Sequence, residues 1–167
     1  LSRAGQIQHL YVSDQSSESG DLTIVGVRNG ATLHLDGAFN GDTTTIQYAD
    51  VDPAGLTVVL NIGDVNDMIN ILQNSATLNI VSEGVSNYVQ DFFAGGRLTN
   101  LNISGTGRFA VDGDLDNSFE NDTPIYVDAS DNSGGVDLEI SGSQNYNVVG
   151  SSGDDRFTLT ASDDDGG

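Results

Sequence analysis

The stretch Gly150-Ser-Ser-Gly153-Asp154-Asp155-Arg-Phe157-Thr sets two adjacent carboxylates behind a glycine and ahead of an apolar residue. Three more acids, Asp163, Asp164 and Asp165, follow one short alternating run later, before Gly166 and Gly167. Such residues at this spacing suit cation binding better than bond-making chemistry. Glycine permits a tight, partly left-handed loop. That loop can turn carbonyls and an Asp carboxylate toward a hard ion that takes six to eight oxygens. One turn cannot complete the shell, so a neighbouring coil has to contribute. Ca²⁺ is the expected cofactor, with Gly150, Gly153, Asp154, Asp155, Asp163, Asp164 and Asp165 as the expected site.

A second acidic run, from Asp112 through Asp114 and Asp116 to Ser118 and Glu120, imitates the first half of an EF-hand loop. Asn117 stands where that loop carries its glycine. Thr123 occupies the place of the closing bidentate Glu, and no helical pattern flanks the run. Asp112, Asp114 and Asp116 are the expected ligands here, against the plainer reading of a solvated acidic loop. Two weaker echoes, Asn66-Asp67-Met68-Ile69 and Asp131 to Leu138, share parts of the same pattern.

Composition narrows the classes. The 167 residues carry 25 acids, of which 21 are Asp, against five Arg and no Lys, for a formal charge of −20. Nucleic acid is not expected as a partner, because phosphate recognition needs clustered Lys and Arg. Anionic membrane surfaces are disfavoured for the same reason. No apolar run approaches the ~20 residues that span a bilayer, so direct membrane insertion is not expected. The absence of Cys removes disulfides and thiolate metal sites. The start at Leu1, without Met or a signal-like stretch, reads as a segment of a larger or processed chain.

The elements that must position these loops are strands. Short alternating runs end in Gly, Asn or Asp at 21–26, 32–37, 56–64, 77–84, 101–107, 125–130, 137–142, 147–150 and 156–162. Apolar residues at i and i+2 are the period of a strand with one buried face. A degenerate x-Leu-x-Ile-x-Gly unit recurs at Leu22/Ile24/Gly26, Leu33/Leu35/Gly37, Leu101/Ile103/Gly105 and Leu138/Ile140/Gly142. Degenerate repeats with variable loops are typical of solenoids. The fold class expected is all-β, a parallel β-helix or β-solenoid with Gly/Asp-rich loops, over residues 1–167 as one segment. A β-sandwich is the competing fold. Residues 85–93 have apolar residues at helical spacing and suggest one short helix, while MINIL at 68–72 fits strand or helical turn.

The loop at 150–158 resembles the repeats-in-toxin nonapeptide G-G-x-G-x-D-x-U-x, with Ser151 in place of the second glycine. The longer stretch from Ile125 to Leu159 resembles β-solenoid segments of bacterial surface-layer proteins and of calcium-dependent adhesins of the repeats-in-toxin type. The resemblance implies a secreted, extracellular module on the bacterial surface, ordered by Ca²⁺. Its partners would be a homo-oligomeric lattice, neighbouring domains of the same chain, or cell-surface polysaccharide.

No nucleophile elbow, phosphate loop or H-E-x-x-H is present, and the chain is expected not to be an enzyme. A polysaccharide-active enzyme or carbohydrate-binding module on a β-helix is the alternative, along with a sandwich interaction domain. His9 and His34 lack partners at metal spacing and read as surface strand residues.

Overall fold

The computed structural model describes residues 8–13, 21–27, 31–37, 43–48, 56–64, 68–72, 76–93, 98–116, 124–141 and 145–160. In chain order the strands are β1 (His9–Ser13), β2 (Leu22–Val27), β3 (Thr32–Asp36), β4 (Thr43–Tyr48), β5 (Leu56–Asn61) and β6 (Gly63–Asp64). Next come β7 (Met68–Leu72), β8 (Thr77–Ser82), β9 (Ser86–Val89), β10 (Asp91–Phe93) and β11 (Asn100–Gly105). The last are β12 (Arg108–Asp116), β13 (Ile125–Asn132), β14 (Val136–Ser141), β15 (Tyr146–Val149) and β16 (Arg156–Thr160).

Successive strands alternate between two sheets, except that β6–β7 and β9–β10 follow each other on the side of the second. One runs β1-β3-β5-β8-β11-β13-β15; the other runs β16-β14-β12-β10-β7-β4-β2, with β6 and β9 attached to its side. Every strand pair among the described residues is parallel. Parallel neighbours cannot be joined by hairpins, so the chain must cross to the opposite sheet and return before it pairs again. The architecture is a parallel β-solenoid, and the sandwich alternative falls.

Register follows the alternation of side chains. His9, Thr32, Thr57, Asn79, Asn102, Asp128 and Val149 stand in one row across the first sheet. A coil therefore takes about 23 residues, the separation of Asn79 and Asn102. The inward neighbours of that row, such as Leu33, Val58, Ile80, Leu101 and Val127, meet Ile46, Ile69, Val89, Phe109, Val136 and Leu138 of the second sheet in one hydrophobic cluster. A Leu or Ile side chain fully buried in this way contributes about 2 kcal/mol. A one-residue slip would turn each inward set toward solvent, so the pattern itself fixes the register.

The helix expected at 85–93 is absent. That segment forms β9 and β10, and no helix occurs among the described residues. Its misleading feature is Asn87, a polar residue that is fully buried beside buried Val89, whereas Val85 is 92% exposed. The true alternation was hidden because its inward position is filled by an amide. MINIL is strand β7, paired in parallel with β4 and β10.

Candidate functional site: the glycine corner

Four turns, 83–85, 106–107, 133–135 and 150–155, all leave the first sheet for the second and stack on one corner of the solenoid. Backbone hydrogen bonds join each to the next. Gly107 N donates to Ser82 O at 2.9 Å, Ser133 N to Gly105 O at 2.9 Å, and Ser152 N to Asn132 O at 3.0 Å. The coils approach so closely here that side chains are excluded. A Cβ on Gly153 would stand 2.5 Å from Gly135 N, and Gly135 itself holds φ +95° against the Asp154 carbonyl. The glycines of this column are thus required by coil contact as well as by loop shape.

Three polar side chains fasten the column. Asn87 Oδ1 accepts from Ile62 N at 2.7 Å, and its Nδ2 donates to Ser82 Oγ and Glu83 O. Asn132, 1% exposed, accepts at Oδ1 from Gly134 N and Gly135 N, both at 2.9 Å. Its Nδ2 donates to Ser104 O at 3.3 Å and Gly107 O at 3.1 Å. Asp155 does the corresponding work at the last turn: Oδ2 accepts from Ser151 N at 2.7 Å, while Oδ1 accepts from Ser151 Oγ at 2.5 Å and Val136 N at 3.0 Å. Asp155 thereby closes its own loop and pins it to the coil above. Arg108 ties the outer side, donating from Nη2 to Asp137 Oδ2 at 2.9 Å and from Nη1 to Asp154 O at 3.5 Å.

The expected site residues fall into three groups. Gly150, Gly153, Asp154 and Asp155 are together in the β15–β16 turn, with Asp154 and Asp155 exposed. Asp112, Asp114 and Asp116 lie on the extended backbone of β12, and the remainder of that run lies outside the described residues. Asp163, Asp164, Asp165 and the echo at Asn66-Asp67 also lie outside them. Among the described residues, no three acids or histidines converge as an ion cage.

Sequence reasoning passed over Asn87, Asn132 and Ser82. Their signal is position, since each stands at a strand end or start beside a glycine turn, where a short polar side chain can reach backbone groups.

The outward face of the second sheet carries a recess of ≈ 280 Å³ whose lining includes Tyr88, Arg108, Asp137, Glu139, Arg156 and Thr158. Arg156 Nε approaches Asp137 Oδ1 at 3.9 Å. On the outward face of the first sheet, the register shifts between Asn102 and Ser104 at a bulge in β13. Asp128 sits there, accepting from Ser130 Oγ at 2.7 Å and Ser130 N at 3.0 Å. The Ser130 hydroxyl, and then its amide, hold the Asp128 carboxyl below its ordinary value.

Compared with protein-family models, curated proteins and solved structures, the chain matches none.

Proposed function

We propose that this chain is a non-enzymatic, extracellular structural module, a Ca²⁺-ordered β-solenoid used in surface-layer assembly or cell-surface attachment. The observation that supports it is the β15–β16 turn. The loop singled out for calcium is also a coil-to-coil joint, held by Asp155 under Val136. An ion bound there would act on coil stacking directly. Asp154 and Asp155, both exposed at the joint, and the acids of residues 163–165 would supply the oxygens of the ion's shell, alongside loop carbonyls. Extracellular calcium modules bind at roughly 10⁻⁴ to 10⁻³ M, and a site of that strength fits a joint tuned to the outside of a cell. Repulsion within a chain of charge −20 supplies the reason why coils would separate without it.

Thermal melts in EGTA and across 0 to roughly 10 mM CaCl₂, a range set by such affinities, test the reading against matched MgCl₂. A saturable, calcium-selective rise in Tm is expected. A melt indifferent to calcium would sink the calcium part.

The recess around Tyr88 favours a second reading, a carbohydrate-binding module. An aromatic ring beside Arg and carboxylate groups suits a sugar ring and its hydroxyls. Retardation in gels containing soluble acidic or neutral polysaccharide, lost in Tyr88→Ala, is the outcome that reading requires.

A further inference from the structure

His9 and His34 are the only histidines in the sequence. They are 25 residues apart, about one coil, and the solenoid therefore brings them onto neighbouring strands. His9 stands opposite Thr32 and Tyr11 opposite His34, which places the two imidazoles diagonally on the outward face. His9 Nδ1 and His34 Nε2 face each other at 3.0 Å. The ring centroids are 5.2 Å apart, and Tyr11 stacks on His34 at 4.3 Å with an interplanar angle of 15°. Tyr11 thus packs on the face of the His34 ring, while the ring edge that carries Nε2 meets His9.

We propose that His9 and His34 form a two-imidazole site for a late first-row divalent ion, Cu²⁺ in particular. Metal–nitrogen bonds of about 2.0 Å at right angles put two ligand nitrogens about 2.8 Å apart, whereas a tetrahedral angle puts them about 3.3 Å apart. The observed 3.0 Å lies between the two, so one ion can bridge the pair in either arrangement, and Cu²⁺ leads because it heads the affinity order of divalent ions for nitrogen sites. In the neutral pair one facing nitrogen carries the shared proton. On binding, that proton moves through solvent to the other nitrogen of its own ring. Both rings then present a lone pair, stay neutral, and release no net proton. A turn of each ring aims the lone pairs at the ion, and water completes an open coordination sphere.

The surroundings agree with a cation. No Lys or Arg occurs on β1, β3 or β5, and the chain as a whole is strongly anionic. Asp36, two residues beyond His34, accepts from Asn61 Nδ2 at 2.8 Å and so is engaged along the sheet. The site is independent of the calcium reading, because imidazole selects transition metals and hard oxygen ligands select Ca²⁺.

The test is titration of the whole chain with CuCl₂ in chelator-free buffer, followed by electron paramagnetic resonance. One equivalent should bind with nitrogen hyperfine structure from two imidazoles. His34→Gln and, separately, His9→Gln should each reduce that pattern to one nitrogen and weaken binding by about tenfold or more, the scale on which metal sites respond to lost ligand support. Circular dichroism checks the fold of both variants, and either one that keeps its strand spectrum decides the question. An oxygen-only spectrum in the wild-type chain, or a variant titrating within about twofold of it (well under the change expected for a lost ligand), would overturn the site.

Discussion

The Asn132 corner and the Asp155 corner solve the same problem with different chemistry. Each must satisfy backbone N–H groups at a turn and join it to the coil before. Asn132 is buried and touches carbonyls as well as amides, so it needs a group that donates and accepts. A carboxylate there would face Ser104 O and Gly107 O with no proton to offer, and would bring an unpaired charge indoors. Asp155 meets only donors and remains exposed to water, where a charge costs little. Burial and the sign of the surrounding dipoles, more than loop sequence, decide which acid-like side chain a corner can use.

The exchange of the two side chains breaks or sharpens this contrast. Asn132→Asp should destabilise by about 3 kcal/mol at neutral pH, the scale for a buried group left without partners; urea unfolding with unchanged m measures it. A loss as small as that of a surface substitution would mean that water reaches Asn132 freely. Asp155→Asn should be milder in EGTA, about 1 kcal/mol, because the amide oxygen keeps one of the two backbone donors, Ser151 N or Val136 N, and the donor left facing Nδ2 sits at an exposed turn open to water. In saturating CaCl₂ the same variant should lose the calcium-dependent rise in Tm. Equal destabilisation with and without calcium would make Asp155 a fastener only.

The smallest effect belongs to Asp128. Its carboxyl is held below its ordinary value by Ser130, so it binds fewer protons in the folded chain than in the unfolded one. The resulting stabilisation is present above the ordinary carboxylate range and fades as pH falls through the lowered folded value. Ser130→Ala should move the Asp128 titration upward by carboxyl NMR and remove this small contribution at pH 7, with no difference from the parent chain once pH has fallen below the lowered folded value. An unmoved titration would mean that the hydroxyl contact does not persist in solution.

Much of the fold was legible because apolar alternation and coil register are one constraint. Leu33, Leu35, Leu101, Ile103, Leu138 and Ile140, the core of the recurring unit, are all buried. What stayed hidden were inward positions filled by polar residues. Thr44 is buried in β4 and Asn87 in β9, and both interrupt the apolar pattern that marks a strand. The C-terminal loop was legible as a glycine–aspartate turn, but its role as a coil joint depends on Val136, 19 residues away. The His9–His34 pair was invisible for the same reason, since one coil of chain separates the two rings.

The parallel pairing also dictates how the molecule would bear load. Hydrogen bonds between stacked coils point along the solenoid axis, so tension between the two ends falls on one rung at a time instead of shearing a whole sheet. Each rung that peels frees about 23 residues, or roughly 80 Å of extended chain at about 3.5 Å per residue. Built this way, the chain would lengthen under force in steps of about one coil each, instead of in a single rupture.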